Sequence, residues 1–428
     1  MKVPIIMSQI YDTTRRLCKS FEYKFKEAFI FNLLLALFMS IEEKWLNSFI
    51  KSMYPGHNFI SSLKRSRILK NHIFSPPSFI VFFSIFMALA AIPVQKTLQI
   101  NILIGFSCFL LFSVIMPGVV LRGDRYLRFS IGDIRSMGFT LFIIGSAFLA
   151  ITLTDVGGIP LLKPSLRYLL NPKLTIPVYL MIPGTAFMLA YITDEMKKSV
   201  IDRSTARFRA IAVSLTCLVM LALLGYRTPL VAVILITFIM GYYSGLFEIW
   251  EVLGSFAVAL MIIMGIGYFR SVEEYSLSNL GPLTVLKMRA SFTMSILNRL
   301  SALAGMTGVM HGDLTLSMIP GAGSGPRALI GKLVLWRTGV TITPTLFGQM
   351  LVEFGTIGVA FGMSILGLIL GVGYRIMQKT RDSFYIMLYS ILMAYCLISI
   401  ETGILDQLVV IYILCAFIIY IYNIYLNI

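Results

Sequence analysis

The chain has 428 residues, of which 57% are hydrophobic and only 13% charged, and its mean hydropathy is +0.85. A soluble domain carries roughly 25% charged residues, so this composition excludes one. The net charge of +16 would suit a nucleic-acid binder. In so apolar a chain it reads instead as Lys and Arg gathered in loops on one side of a membrane, and no nucleic-acid partner is expected.

In chain order, residues 1–77 form a cytoplasmic or interfacial region with a basic stretch (Arg15, Arg16, Lys19, Lys24, Lys26) and a basic loop (Lys64, Arg65, Arg67, Lys70). Ala28–Ile41, flanked by Glu27 and Glu42, is too short to span comfortably and reads as an interfacial or re-entrant helix. If it did cross, the N-terminus would lie outside. No small-residue cleavage site follows this first apolar run, so no cleavable signal peptide is expected.

Residues 78–428 read as a transmembrane domain. Leu98–Leu121, Ser136–Thr154, Ala210–Tyr226 and Thr228–Phe247 contain no Asp, Glu, Lys or Arg, and each is near the length an α-helix needs to cross about 30 Å of hydrocarbon. Val252–Phe269 does not alternate in polarity as a barrel strand must. The expected fold class is therefore all-α, a polytopic membrane bundle of about ten (10–11) transmembrane helices. The spans are placed at 78–95, 98–121, 136–154, 175–193, 210–226, 228–247, 252–269, 346–374, 384–400 and 404–426.

Sidedness follows from the short loops. Arg122, Arg125, Arg128 and Arg135, then Lys197, Lys198, Arg203, Arg207 and Arg209, then Arg375, Lys379 and Arg381 all fall on one side of a ten-span chain. That side is read as cytoplasmic. Two unusual segments fall on the other: 155–174, broken by Gly157, Gly158, Pro160, Pro164 and Pro172, and one large extracytoplasmic loop at 270–345. The latter is helix-like near Leu283–Leu300. A loop of that length is usually functional.

Cys18, Cys108, Cys217, Cys396 and Cys415 form no CxxC, and four lie in apolar runs, so buried packing is expected and neither a disulfide framework nor a zinc site. With no DxD pair and no HExxH, no metal and no cofactor are expected. Gly321–Gly325 lacks the spacing of a phosphate loop. The GxxxG pairs Gly358/Gly362 and Gly367/Gly371 read as helix packing.

With His57 and His72 in the cytoplasmic loop, His311 is the histidine of the outer face, in Met310-His-Gly-Asp313. The long loop carries Arg270, Lys287, Arg289, Arg299, Arg327, Lys332 and Arg337 against Glu273, Glu274 and Asp313, which asks for an anionic partner. Arginine forks suit phosphate oxygens, and an imidazole among cations is a candidate proton acceptor. The plain alternative is a hydrogen-bonded loop histidine. Arg227, in Leu224-Gly-Tyr-Arg-Thr-Pro-Leu230, lies between two uncharged runs; it is either a functional intramembrane cation or a snorkelling helix-end residue. Lys163, Arg167 and Glu353 face the same compartment.

These residues resemble the oligosaccharide repeat-unit polymerases of the O-antigen polymerase type. The matching features are Gly225-Tyr-Arg227 at the outer end of a span, Gly157-Gly-Ile-Pro-Leu-Leu162, and the large outer loop. Within the loop come Arg289, Gly305-Met-Thr-Gly-Val-Met-His-Gly-Asp313 and Ile319-Pro-Gly321, followed by Thr343-Pro-Thr-Leu-Phe-Gly348 and Glu353-Phe-Gly-Thr-Ile-Gly358. The resemblance covers roughly residues 150–375.

It implies glycosyl transfer from a polyprenyl-pyrophosphate-linked oligosaccharide at the outer side of the cell membrane, with a chain-length regulator and a flippase as further partners. By resemblance Arg227 contacts the pyrophosphate, His311 takes the place of the outer-loop histidine, and Arg289 is a second phosphate-binding arginine; Asp313, two residues on, is expected to orient His311. Arg327, Arg337, Lys163 and Arg167 are further candidates for substrate binding. A polysaccharide or lipid-linked sugar exporter, and an O-antigen-type ligase, remain as alternatives.

Overall fold

The computed structural model describes residues 73–120, 131–254, 281–317, 325–335 and 342–403, and within them every regular element is a helix. α1 (Ser78–Leu89) is followed by α2 (Lys96–Leu110), which passes through a π-helical turn at Leu111–Ile115 into α3 (Met116–Val120). Then come α4 (Ile131–Val156), a 3-10 turn (Pro164–Leu169), α5 (Pro172–Val178), α6 (Met181–Lys197), α7 (Arg203–Ala222) and α8 (Arg227–Tyr243). α9 (Pro282–Ala304), α10 (Asp313–Leu316), α11 (Pro326–Leu335), α12 (Thr345–Thr380) and α13 (Ser383–Thr402) complete the set.

Six stretches are long and apolar enough to cross a membrane, and α1 and α8 are shorter apolar helices. The expected spans at 404–426 and, but for its first residues, 252–269 lie outside the described residues, as do Ala28–Ile41 and the rest of 1–72; the other spans each coincide with a helix.

The bundle is held by close backbone approach and by interhelical hydrogen bonds, as expected where burial from lipid supplies little force between helices. A Cβ on Gly138 would stand 2.8 Å from Phe187 Cβ, and one on Gly145 2.8 Å from Met181 N, so α4 runs directly against α6. Gly367 and Gly371 of α12 meet the Phe109 and Ser113 carbonyls of α2 and its π turn, as the GxxxG reading expects. Gly358 and Gly362 instead lie against Met350 of their own helix, where α12 bends. Cys217 and Cys396 are buried, Cys108 is partly so, and all three are free thiols.

α9, expected as part of an extramembrane loop, is packed into the bundle. Ala290, Thr293, Met294, Leu297, Asn298, Ser301 and Ala304 are buried on one helical stripe. From it Ser291 Oγ accepts from Ala91 N (2.8 Å), Asn298 Oδ1 accepts from Gln95 N (3.0 Å), and Asn298 Nδ2 donates to Pro93 O (3.0 Å). The α1–α2 turn thus finds on α9 the partners its backbone lacks. Asn101 extends the seam, accepting from Thr356 Oγ1 (2.7 Å) and donating to Ser301 Oγ (3.2 Å). Asn298→Ala strands two backbone groups of that turn, and the expected loss is about 2–4 kcal/mol, read from unfolding of the detergent-solubilised protein.

One end of the bundle gathers the basic residues. Arg209 pairs with Glu195 (3.3 Å), Arg207 with Glu251 (3.0 Å) and Lys198 with Asp194 (3.1 Å), while Arg135 lies 5.3 Å over the Tyr191 ring. Arg122, Arg125 and Arg128 of the first basic loop lie outside the described residues. Lys197 Nζ donates to Arg381 O (2.7 Å) and Arg375 Nη2 to Val114 O (2.8 Å), so the second and third basic loops read from the sequence meet at one end. There Asp202 caps α7, and the hydrogen bonds from the Thr205 hydroxyl and then its N–H hold the carboxyl below its ordinary pKa.

Candidate functional site

The opposite end is where α2, α8 and α12 begin and α7 and α13 finish. Its first feature is the α7–α8 turn. Gly225 has φ +71°, and a Cβ there would lie 3.3 Å from Pro160 O and 3.2 Å from Arg167 Cδ. Only glycine accepts both constraints. Leu161 N donates to Leu223 O (3.1 Å), so the segment 157–171 folds over this turn and buries the stem of Arg167 against it. Lys163 precedes the 3-10 turn and is exposed.

Two residues beyond Gly225, Arg227 opens α8. Its Nη2 donates to Glu401 Oε1 at 2.9 Å, and Arg289 Nε, from α9, donates to the same oxygen. Two cations read separately from the sequence therefore meet on one carboxylate. The three side chains remain partly exposed, at 20% for Arg227, 45% for Arg289 and 33% for Glu401. Each guanidinium has five N–H donors, and among the described residues each spends its side-chain hydrogen bonding on Glu401 alone. The remaining donors have the planar fork geometry that matches phosphate oxygens. Glu401 lies in the last turn of α13, where the helix dipole disfavours a carboxylate. The arginines offset that cost.

The second feature is a bend. Phe354 and Gly355 leave helical geometry inside α12 (φ −136°, ψ 22°; φ 62°, ψ −145°). The backbone groups released there are taken up by the segment after α9. Gly305 O and Met306 O accept from Thr356 N (3.3 Å) and Ile357 N (3.4 Å), while Val309 N and Met310 N donate to Val352 O (2.9 and 3.0 Å) and His311 N to Glu353 O (3.1 Å). A kink that would otherwise leave polar backbone unpaired in a membrane protein is thereby satisfied. Gly308 (φ +80°) is required because a Cβ there would overlap the Glu353 carbonyl.

Glu353, 4% exposed, also turns its carboxylate to this segment. It accepts from Gly312 N, from Thr315 N (2.5 Å) and from Thr315 Oγ1 (2.8 Å). Expected as an acid near the start of its own helix, it instead caps α10. His311 is held between these anchors with φ +44°, its imidazole exposed and its ring centroid 6.4 Å from that of Phe354. The ring makes no side-chain hydrogen bond among the described residues. Asp313 opens α10 and is exposed; its carboxylate makes no hydrogen bond to His311. Leu314, Ile330, Val334 and Ile342 pack beneath this segment on Ile296, Leu300 and Val352 as a small satellite core.

The two features share one end of the bundle. A Cβ on Gly403, two residues after Glu401, would stand 3.0 Å from Gln349 Cδ, and Gln349 precedes Glu353 by about one helical turn, some 6 Å of rise. No described side-chain contact joins His311 to either arginine. Arg327 is exposed on α11, its carbonyl accepting from Ile342 N (3.1 Å), while Arg337 and residues 318–324, which include Ile319-Pro-Gly321, lie outside the described residues. An open depression of about 480 Å³, lined by Met196, Ser199, Ile201, Asp202, Arg203 and Gly245, lies at the basic end, away from both features.

The sequence reading passed over Glu401. The available signal was an acid closing the otherwise uncharged span 384–400.

Two uncharacterised proteins of Methanocaldococcus jannaschii are similar to this chain. One is 31% identical over 296 residues, which are 68% of this chain and 78% of that protein. The other is 30% identical over 267 residues, 62% of this chain and 60% of its own length. No solved structure matches. A family model for O-antigen polymerases matches residues 72–413, about four fifths of the chain and every described residue, and the chain belongs to that family of polysaccharide-biosynthetic membrane proteins.

Proposed function

We propose that the protein polymerises lipid-linked oligosaccharide repeat units by glycosyl transfer from polyprenyl pyrophosphate on the outer side of the cell membrane. The observation that carries this reading is the meeting of Arg227 and Arg289 at the end of the bundle remote from the basic loops. Positive charge marks the cytoplasmic side, so the arginine pair faces outward in a chain of about ten spans.

The reaction breaks the anomeric C–O bond to pyrophosphate, and negative charge grows on the leaving diphosphate. Guanidinium donors at the lipid–water boundary stabilise that charge best where water is scarce. The acceptor hydroxyl loses its proton as the new C–O bond forms, and the exposed imidazole of His311 is the base or orienting acceptor for it. Asp313, Lys163, Arg167, Arg327 and Arg337 are assigned to the surrounding substrate surface. No metal is required in this scheme. An exporter would use the same cationic face to bind and release its cargo, and a ligase would deliver finished glycan to a different acceptor.

The test is reconstitution in liposomes with lipid-linked repeat units, the products resolved by chain length. Polymer longer than the input is expected, unaffected by EDTA, and reduced about 100-fold or more in His311→Ala. Unchanged chain lengths would favour an exporter. Loss of activity in EDTA with rescue by magnesium would contradict the metal-free scheme, and full activity in His311→Ala would remove the histidine from it.

A further inference from the structure

The proposed reaction gives the arginine pair a difficulty. Donor and leaving group are both prenyl diphosphates, so a site that binds the first tightly also retains the second. The structure contains a group suited to resolve it. Glu401 Oε1 accepts from both guanidiniums, yet a third of its side chain is exposed, so the pairing is not sealed off from an entering anion. The carboxylate lies in the last turn of α13, against the helix dipole, and has no other described hydrogen-bond partner than these arginines. An acid placed so is held by its cations alone.

We propose that Glu401 is a built-in counter-ion. Its carboxylate occupies the seat between Arg227 and Arg289, yields it to an entering diphosphate, and retakes it as the prenyl diphosphate product departs. The exchange makes and breaks ion pairs only. It rests on the diphosphate reading above and adds to it the group that sets how tightly the site holds donor and product. The direction of the effect follows from charge. Two cations and one anion leave the seat a net charge of +1, and neutralising the anion raises this to +2, strengthening the hold on any diphosphate.

The experiment titrates farnesyl pyrophosphate into the full chain in detergent, as wild type, Glu401→Gln, Glu401→Ala, Arg227→Ala and Arg289→Ala. Thermal unfolding is recorded for each variant to verify folding. Glu401→Gln keeps the side chain's shape and removes its charge, so its dissociation constant is expected to fall at least tenfold, about 1.4 kcal/mol. Glu401→Ala is expected to shift in the same direction, and the arginine variants to lose binding.

In the polymerisation assay Glu401→Gln should lower KM and kcat together, with added farnesyl pyrophosphate inhibiting it more strongly than wild type. A merely structural glutamate would not give that split. If both Glu401 variants bind no more tightly than wild type while the arginine variants still lose binding, the counter-ion role is overturned and the diphosphate site stands. If neither wild type nor Glu401→Gln binds the probe, both readings fall.

Discussion

Arg227→Ala and Arg289→Ala are each expected to slow polymerisation by about 100- to 1,000-fold, the usual cost of removing one donor aimed at charge developing in a transition state. The initial rate of chain extension in proteoliposomes measures it. Lysine should not rescue either position fully. It restores the charge but not the planar fork that can hold Glu401 and a phosphate at once. Because both guanidiniums share Glu401 Oε1, the double variant should lose less than the sum of the two single losses. Folding should survive in each single variant, since Glu401 keeps one partner and the seat is partly exposed. An arginine-pair variant that extends chains at the wild-type rate would remove the pair from the chemistry.

Much of this arrangement is legible in the sequence. Uncharged runs located the helices, because crossing hydrocarbon demands length and apolarity that few other structures need. Charge alone assigns the basic loops to one side, and the contact of Lys197 with Arg381 brings two of them, 197–209 and 375–381, to one end. Arg227 stood out as a lone cation between apolar runs, and Arg289 as a cation in a loop too long to be idle.

Other features were hidden for physical reasons. With Lys287, Arg289 and Arg299 along it, Pro282–Ala304 reads from the sequence as a helix-like stretch of the outer loop; those charges mask the buried stripe that packs it into the bundle. Glu401 is hidden because an acid at a span end reads as ordinary until two arginines are found on it. The bend at Phe354–Gly355 has no local signature in Glu353-Phe-Gly355. It is specified by a segment some forty residues earlier whose glycines allow the backbone to approach.

That reciprocal arrangement ties the histidine to a side chain the proposed chemistry never touches. The carboxylate of Glu353 accepts from Gly312 N, Thr315 N and Thr315 Oγ1, immediately beyond His311, while its carbonyl accepts from His311 N. The main-chain half of this anchor survives any substitution; the carboxylate half does not.

Glu353→Ala is therefore expected to free α10 and let His311 drift by an ångström or more. Displacement of that order costs about 100-fold in rate when reacting groups must be held in contact. Stability should fall only by about 1–3 kcal/mol, because the stranded N–H groups are partly exposed and can reach water. Glu353→Gln should recover little of the rate, since its amide N–H turns a donor toward backbone donors that need an acceptor. Farnesyl pyrophosphate binding reports the arginine pair and should stay unchanged in both variants. Loss of transfer with binding intact separates positioning of the imidazole from damage to the bundle; binding and transfer lost together would show that Glu353 supports the whole end of the protein.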